Sequence, residues 1–579
     1  MSTTPSLAFA SLRSQIVGID AALRTPFGER LMVYADYTAS GRCLRFIEAY
    51  LLRLQRHYAN SHTEDDISGR SMTRLLHQAE TAIKEAVHAG PRGRIVSVGF
   101  GSTAAIDRFQ QIVGVALPPA TRQLLFGLVR EFSAGPAGDG DFERFLGPRR
   151  PLVFIGPYEH HSNELTWREG LSEVAPVRLG ADGGIDLAHL EGLLRESDGS
   201  GRLRIGSCSA ASNVTGRVSR VADIAAMLHR HGALACFDYA ASAPYVGIDM
   251  NPPPPPGGGD ASLDAVFLSP HKFLGGPGSS GILVFNERVY HGELAPSVSG
   301  GGTVTYVSRS GHDFSSDIEE RERAGTPGIL QIVKAALALL VKDAVSVERI
   351  ERREQELLCR AFARWRANPH LEILGHPDPA KRIGVVSFNV RDEGGRYLHP
   401  KFVTVLLNDL FGVQSRAGCS CAGPYGHDLM GIDEPASEKY RDAIRRGYSG
   451  LKPGWCRVGF HYTMDDTEAG YLVDAVDFVG RLGGRFLPQY RFDPRSGAWI
   501  HGREPGAYED LSLDAAFRAG EEPADRPVTP ADRTQLYEAY LSEAEALARA
   551  VRPAGPPGRA EIPAEMADLQ LFAFPPDGE

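Results

Sequence analysis

Short apolar runs that end in small or polar residues recur between about residues 95 and 290. The runs are RIVSVGFGST, RPLVFIGPYEHHSN, LRIGSCSAASN, ALACFDYAAS and DAVFLSPHKF. Helical stretches such as Ala222–His231 lie between several of them. Buried strands that alternate with helices predict an α/β domain with a mainly parallel sheet. In such sheets ligands bind beyond the carboxyl ends of the strands, so the polar residues that end the runs are candidates for chemistry.

The alternation of apolar runs and helices ends near residue 335, where a second domain is predicted to begin. A core helix is predicted at Ile329–Val341, and a charged helical stretch, SVERIERREQELLCRAFARW, opens a second domain with strands near KRIGVVSFNV and WCRVGFHY. Segments 134–150 and 252–260 have the composition of surface loops. The organisation we predict is an N-terminal arm (1–30), a large domain (31–335), a smaller α+β domain (336–490) and a C-terminal extension (491–579). The extension contains one amphipathic helix, Ala531–Val551.

Composition and charge narrow the function classes. The 579 residues carry a net charge of −10, which argues against a nucleic-acid partner because phosphate binding requires a basic face. Seven scattered cysteines do not suggest a disulfide framework and fit a reducing cytoplasm. The N-terminal residues lack the pattern of a secretory signal, and the apolar run around Lys334 is too short to span a bilayer. We therefore expect a cytoplasmic protein without a membrane segment.

Lys272 follows an apolar run in SPHKFLGGPGSSGIL. A lysine amine can form a Schiff base with a carbonyl cofactor, which gives this position a chemical purpose. An exposed loop lysine is the alternative. Asp238 closes the run LACFD, where a carboxylate could pair with a protonated pyridine nitrogen or simply cap a turn.

The ends of three other runs carry further polar groups. Ser102 and Thr103 open a helix, where backbone amides bind phosphate well, although a helix cap explains them equally. His160 could stack on a pyridine ring and act in catalysis by shuttling protons. Its neighbour His161 suggests a metal site, but no ligand set at a recognised spacing completes one. Asn213 could bond a phenolic oxygen or form a turn.

The order of these motifs resembles the class V aminotransferase group of fold-type I pyridoxal 5′-phosphate (PLP) enzymes, particularly cysteine desulfurases and selenocysteine lyases. VYADYTASG, GFGSTAAID, YEHHSNELTW, SNVTGRVS, FDYAASAP and SPHKFLGGPGSSGIL each resemble a family motif, as do GGGT at 300–303 and ERAGTPGI. The likeness runs from about residue 30 to 480 and leaves the tail outside.

The resemblance implies a role for each matching residue. Lys272 would form the Schiff base with PLP, Asp238 would pair with the pyridinium, and His160 would stack on the ring. The phosphate would be held by a hydroxyl and imidazole set comprising Ser102, Thr103, Ser269 and His271. Asn213 would approach the phenolic oxygen. Family members are usually homodimers, in which Thr303 of the GGGT segment would reach the neighbour's phosphate.

The second domain carries the substrate-facing resemblance. SRAGCSCAGP resembles the family's RxGHHCA motif and places Cys421 at the persulfide-forming position, with Arg416 nearby to favour a thiolate. Arg457 in WCRVGFHY matches the arginine that binds the substrate carboxylate through two parallel hydrogen bonds. The structural alternatives are a buried, inert cysteine and an ordinary salt bridge.

Two departures from the family pattern affect the site. Ala241 stands where the family has glutamine and cannot donate to the phenolic oxygen. The histidine pair before the family cysteine is Cys419-Ser420 here, so Cys419 and Cys421 could form a strained disulfide or share sulfur.

The resemblance implies desulfuration of cysteine, or carbon–selenium cleavage of its analogue, with a persulfide on Cys421, release of alanine and a possible sulfur-acceptor protein. The alternative is another PLP reaction on an amino acid, namely transamination, β-elimination or epimerisation, that does not need Cys421. A sulfur-handling protein that has lost the cofactor is a third possibility, disfavoured because Lys272 and Asp238 are both present.

Overall fold

The computed structural model describes residues 7–61, 65–99, 101–133, 142–503, 512–517, 528–551, 558 and 561–575. The chain divides into two compact units. The first is built mainly of Thr38–Glu351, and the second mainly of Phe9–Tyr37, Arg352–Ala380 and Gly384–Glu579.

The helices among the described residues are α1 (Phe9–Gln15), α2 (Arg45–Leu54), α3 (Ile67–Ala86), α4 (Gly101–Ile112), α5 (Pro119–Ser133), α6 (Phe142–Leu146), α7 (Leu165–Glu169), α8 (Leu187–Glu196), α9 (Val221–Arg230), α10 (Ile318–Arg321), α11 (Ile329–Val345), α12 (Val347–Trp365), α13 (Pro400–Phe411), α14 (Gly423–Met430), α15 (Glu434–Arg445), α16 (Asp466–Leu482) and α17 (Pro530–Ala550).

The strands are β1 (Ala22–Thr25), β2 (Gly28–Leu31), β3 (Val33–Tyr34), β4 (Gly93–Val98), β5 (Leu152–Ile155), β6 (Glu173–Pro176), β7 (Arg204–Ser209), β8 (Leu234–Asp238), β9 (Ala265–Leu268), β10 (Gly281–Asn286), β11 (Val304–Val307), β12 (His312–Phe314), β13 (Leu371–Ile373), β14 (Val385–Val390), β15 (Tyr397–Leu398), β16 (Val413–Gln414), β17 (Arg416–Gly418), β18 (Trp455–Gly459), β19 (Tyr490–Phe492), β20 (Trp499–His501) and β21 (Phe572–Ala573).

The first unit is organised around a seven-stranded sheet with the order β4-β10-β9-β8-β7-β5-β6. Neighbours from β6 to β9 are parallel, and β10 runs antiparallel to both β9 and β4. β5, β9 and β10 are buried along their whole length, as expected for strands covered on both faces. The α/β fold with a mainly parallel sheet is therefore confirmed, with one antiparallel strand that the run pattern did not reveal.

Helices cover the sheet because their apolar faces match its surface. α4 packs on β9 and β10 and buries Phe109 in the sheet core. The predicted core helix is α11, which packs on α3. Its Lys334 is only 7% exposed and forms an ion pair with Glu48 at 2.6 Å, so the charge inside this apolar helix is compensated.

The second unit contains a four-stranded sheet with the order β13-β14-β18-β17. α13 and α16 pack against one another, and the tail helix α17 packs on both of them. Tyr537 of α17 stacks on Tyr471 of α16 with ring centroids 3.9 Å apart. The amphipathic helix predicted near 531–551 therefore belongs to the core of this unit.

One predicted surface loop is partly wrong. Residues 142–149 form α6 and a short 3-10 helix, because Phe142 packs against both Phe126 of α5 and Phe145 and gives the segment an apolar side. Residues 134–141 lie outside the described residues. The proline-rich segment 252–260 is an exposed loop, as predicted. Within the described ranges, no helix is both long and apolar enough to cross a membrane.

Candidate active site

The carboxyl ends of β7, β8 and β9 bring several predicted residues to one edge of the first unit. Asp238, the last residue of β8, lies opposite Ser209 of β7 and Phe267 of β9 in the strand register. Its side chain is 4% exposed and accepts a hydrogen bond from the Ala240 amide at 2.8 Å. Burial raises the pKa of Asp238, and the positive charge of Lys272 opposes that shift. Asp238 and Lys272 are thus close enough to interact electrostatically.

A narrow cup forms where α4 begins. The amide of Ser102 donates to Ser269 Oγ at 2.9 Å, and Ser269 Oγ donates to Ser102 Oγ at 3.1 Å. Gly101 has φ +54°, and a Cβ atom there would stand 2.7 Å from Ser269 Oγ and 2.8 Å from His271 Cε1. The cup therefore requires glycine. Because α4 starts at Gly101, Ser102 and Thr103 lie in its first turn, where backbone amides attract anions.

His271 lies at the rim of this cup. Burial and the neighbouring Lys272 charge lower the pKa of His271 to about 4. The imidazole is therefore neutral near pH 7 and can donate one hydrogen bond to an anionic oxygen without adding a second cation beside the lysine.

His160 and Thr103 are connected through Ser162. The Thr103 and Ser162 hydroxyls are 2.7 Å apart, and His160 Nδ1 lies 3.0 Å from Ser162 Oγ. His160 Nδ1 also accepts from the Ser162 amide at 3.1 Å, which fixes the imidazole at the start of a short helical turn. His161 is the first residue of that turn, with its ring centroid 6.3 Å from that of His160.

Glu159 is a buried residue that none of the sequence motifs indicated as part of the site. It is 3% exposed and accepts hydrogen bonds from the Ser209 amide (2.8 Å), the Ser209 hydroxyl (2.7 Å) and Asn163 Nδ2 (2.6 Å). Asn163 Oδ1 in turn accepts from Ser207 and Trp167. Glu159 thereby fastens the segment that carries His160 to the end of β7, beside Asp238. An acidic residue between a buried strand and two histidines was the available signal.

Burial dominates the electrostatics of Glu159. It raises the pKa of this carboxyl to about 7, and the nearby Asp238 charge adds to the rise, while the bonds from Ser209 and Asn163 oppose it. The carboxyls of Glu159 and Asp238 therefore lie at the same edge of the sheet. Both are difficult to ionise, because burial removes the water that would stabilise the charge.

Three other predicted positions lie in the same unit. Asn213 is 8% exposed and lies in a turn. The Ser212 hydroxyl holds this turn by accepting hydrogen bonds from the amides of Val214 and Thr215 at 3.2 Å. Ala241 is 7% exposed. Thr303 is fully buried, and its hydroxyl donates to the Gly300 carbonyl at 2.7 Å within its own turn.

The second unit places the two predicted arginines on adjacent strands. Arg416 of β17 and Arg457 of β18 are direct partners in the register. Asp36, which follows β3, lies 2.8 Å from Arg457 Nη2 and 3.6 Å from Arg416 Nη1. The pairing of β3 with β16 and the bond from the Gly459 amide to the Ala35 carbonyl hold Asp36 in place. Arg457 is 4% exposed, whereas the Arg416 side chain is 48% exposed.

Cys421 lies in an exposed turn between β17 and α14. Its side chain is exposed, which excludes the buried-thiol alternative, and Cys419 is partly exposed. The Ala422 amide donates to the Cys419 carbonyl at 3.0 Å and closes the turn. Ser420 and Cys421 have φ values of +50° and +57°. Positive φ at both central residues is the conformation of type I′ turns, which ordinarily require Asn or Gly.

The remaining cysteines differ in environment. Cys208, Cys236 and Cys456 are buried, and burial raises the pKa of each thiol, to about 11 for Cys456. Cys359 is exposed on α12. All seven cysteines are free.

The cup and its neighbours fit a phosphorylated aromatic aldehyde. Gly101 allows Ser269 and His271 to approach the start of α4 without a Cβ atom in the way, Ser102 and Ser269 supply hydroxyl groups, Lys272 supplies an amine, and Asp238 supplies a buried carboxylate. This donor set can hold a phosphate and a protonated ring nitrogen at the same sheet edge.

A family model described as "Aminotransferase class-V" matches residues 143–472. A probable cysteine desulfurase of Halalkalibacterium halodurans is 26% identical over 398 residues, covering 68% of this chain and 84% of the relative. A cysteine desulfurase of Haloferax volcanii is 29% identical over 341 residues, covering 58% of this chain and 70% of the relative.

Solved structures show the same fold. The apo cysteine desulfurase of Thermococcus onnurineus NA1 superposes with a TM-score of 0.62 at 20% identity, covering 82% of this chain and 99% of that one. A cysteine desulfurase of Escherichia coli gives a TM-score of 0.58 at 19% identity, covering 81% and 98%.

Proposed function

The chain belongs to the class-V aminotransferase family, and from that premise we propose that it is a PLP-dependent cysteine desulfurase that cleaves the C–S or C–Se bond of a cysteine-type substrate and releases alanine. The resemblance stated from the motifs is thereby confirmed at the level of the family. The observation that carries the proposed reaction is the exposure of Cys421, in a strained turn five residues after Arg416. The named activities of the relatives support it.

The proposed cofactor contacts follow from the first unit. Ser102, Thr103, Ser269 and His271 would hold the phosphate, with Asn213 at the phenolic oxygen and His160 against the ring. Lys272 would hold the aldehyde carbon, and Asp238 would keep the ring nitrogen protonated. When bound, PLP supplies an electron sink for the substrate α-carbon.

The protein's own groups then have distinct tasks. Arg457 binds the substrate carboxylate through its guanidinium, with Arg416 as a second cation. Lys272 Nζ accepts the proton from the substrate Cα. Cys421 Sγ, as a thiolate, attacks the substrate sulfur; the bond between that sulfur and Cβ breaks, and Cβ is protonated to give alanine. The transferred sulfur remains on Cys421 as a persulfide.

Partner and location proposals accompany this reaction. A sulfur-acceptor protein would take the sulfur from Cys421, and a homodimer would allow Thr303 to serve the neighbouring phosphate site. Seven free cysteines favour a reducing compartment such as the cytoplasm. The net charge of −10 disfavours nucleic acid as a partner.

The attachment of the cofactor is tested by borohydride reduction of the purified protein followed by peptide mass mapping. We expect a pyridoxyl group on Lys272 and none in Lys272→Ala, with Lys452→Ala as the control. A protein that takes up no PLP, or that carries the label elsewhere, contradicts the proposal.

The role of Cys421 is tested by incubation with cysteine and mass measurement of the peptide that contains it. We expect alanine in the wild type, with the transferred sulfur recovered either as an adduct on Cys421 or as sulfide released from it. Alanine and transferred sulfur are both lost in Cys421→Ala, while the exposed Cys359→Ala control behaves as the wild type. Unchanged alanine formation in Cys421→Ala refutes thiol-dependent chemistry.

Ala241 favours a second candidate, another PLP reaction on an amino acid. Its methyl group is buried where the family has a glutamine donor, so control of the cofactor's phenolic oxygen differs from the family pattern. A product survey with cysteine, selenocysteine, cystine and alanine separates the two candidates. Keto acid, β-elimination product or D-amino acid formed equally by Cys421→Ala supports the second.

A further inference from the structure

The turn that carries Cys421 contains a second thiol that the proposed reaction does not use. Cys419 is the first residue of the turn and Cys421 the third; Cys419 is partly exposed and Cys421 is exposed. A single sulfur-carrying thiol needs only Cys421. The Cys419 thiol is therefore available for a further chemical step.

The backbone brings the two cysteines within bridging range. Residues i and i+2 are at most about 7 Å apart in a fully extended chain, because each residue spans about 3.3–3.6 Å. The turn closed by the bond from the Ala422 amide to the Cys419 carbonyl shortens that separation. Disulfides join Cα atoms that are about 4.4–6.8 Å apart, so a separation shortened in this way is compatible with a bridge.

Both flanks of the turn hold this conformation. Gly454 packs so closely on Gly418 that a Cβ atom there would lie 2.8 Å from the Gly418 carbonyl carbon. On the other side, a Cβ atom on Gly426 of α14 would meet the Trp455 ring at 2.8 Å. β17 and α14 are thus both fixed to the residues that begin β18. Surrounding structure of this kind is what maintains positive φ at non-glycine residues.

We propose that Cys419 is a resolving thiol for sulfur carried on Cys421. The inference rests on the proposed function, since it requires a persulfide on Cys421. The Cys419 thiolate attacks Cys421 Sγ, a bond forms between the two cysteine sulfurs, and the bond from Cys421 Sγ to the outer sulfur breaks. The electron pair leaves with the outer sulfur as hydrosulfide. The Cys419 sulfur is oxidised by one electron equivalent, and the outer sulfur is reduced by one.

The resulting disulfide closes a small ring across a strained and exposed turn. Strained or exposed disulfides have high reduction potentials and are reduced readily. A dithiol reductant restores both thiols by two successive exchange steps. It thereby supplies the two electrons that reduce the transferred sulfur to sulfide in the complete cycle. The protein would therefore release inorganic sulfide without an acceptor protein, using a dithiol as its only co-reactant.

The test is a single turnover of the PLP-loaded full chain with one equivalent of cysteine and no added reductant. Alanine and sulfide are measured, and thiols are then alkylated before mapping of the peptide that contains both cysteines. In the wild type we expect a sulfide-to-alanine ratio near unity and a Cys419–Cys421 disulfide. In Cys419→Ser the ratio falls at least about tenfold because the attacking thiol is missing, and the persulfide persists on Cys421.

Cys359→Ser is the matched control, because this exposed thiol lies outside the turn. It should keep the wild-type ratio and the disulfide. A Cys419→Ser variant that releases sulfide at the wild-type ratio, or a wild type that keeps its persulfide without a disulfide, overturns the inference. Failure of the proposed function has a different signature: the wild type forms no alanine and carries no sulfur on Cys421.

Discussion

Replacing Glu159 with glutamine preserves the shape of a buried side chain while removing its ability to ionise. The carboxyl is 3% exposed and accepts three hydrogen bonds from Ser209 and Asn163. Glutamine keeps one acceptor oxygen and presents an NH2 group to a donor. One of the three hydrogen bonds is lost, and the new NH2 group faces another donor instead of an acceptor. These two changes cost about 1–3 kcal/mol at any pH.

The titration of Glu159 adds a separate, pH-dependent contribution to the stability difference between the two proteins. Burial raises that pKa from the ordinary 4.5 to about 7 in the folded protein. Below pH 4.5 the carboxyl is protonated in both states, and its contribution to stability is fully present. As the pH rises toward 7 the unfolded chain ionises first, and the contribution is lost. At about 1.4 kcal/mol per pKa unit, the loss amounts to roughly 3 kcal/mol.

We therefore expect the stability difference between wild type and Glu159→Gln to change by about 3 kcal/mol between pH 4.5 and 7.5. Glutamine should be the less stable at the acidic end, and its disadvantage should shrink or reverse at the alkaline end. Urea unfolding of the apo protein across this range, followed by fluorescence, measures the difference. Hydrogen exchange of the β7 peptides assigns the transition to the first unit.

Glu169→Gln is the matched control, since the Glu169 side chain is 74% exposed and its replacement should give a nearly constant difference. A difference between wild type and Glu159→Gln that stays constant within about 0.5 kcal/mol over the whole pH range contradicts the reasoning. Glu159 would then ionise in the folded protein as it does in water, and burial would not govern its charge.

Three further substitutions test other parts of the structure. Gly101→Ala should weaken PLP binding at least about tenfold, because φ of +54° and contacts of 2.7–2.8 Å leave no room for a Cβ atom; equal PLP affinity in this variant and in the Gly127→Ala control would count against the cup. Asp36→Asn removes the carboxylate that pairs with the 4% exposed Arg457, and we expect a loss of about 3 kcal/mol in the free energy of unfolding together with an altered KM for cysteine. Thermal and urea unfolding check this beside Asp442→Asn, a control whose side chain is 67% exposed. No change in either quantity refutes it. Tyr537→Ala removes the stack on Tyr471 and should destabilise the second unit by about 3–5 kcal/mol, whereas the exposed Glu538→Ala should cost little; equal urea midpoints for the two variants would show that α17 does not support this unit.

The sequence alone determined the strands of the large sheet and the chemistry at their ends. Buried parallel strands appear in a sequence as continuous apolar runs. The end of β8 at Asp238 and the position of Ser269 after β9 could therefore be predicted from neighbouring residues alone. The core helix α11 and the exposed loop at 252–260 were predictable for the same reason, since composition and periodicity are properties of neighbouring residues. The order of the motifs was sufficient to identify the family.

Only the tertiary structure decided which distant residues meet. Asp36 pairs with Arg457 across 421 positions of the chain, and Glu159 meets Ser209 across 50, because strand order and register bring them together and no local pattern encodes either. The helix α6 was missed because its apolar side packs on α5. The left-handed turn at Ser420 and Cys421 was equally invisible, since neither residue type signals positive φ and only the fixed ends of β17 and α14 impose it.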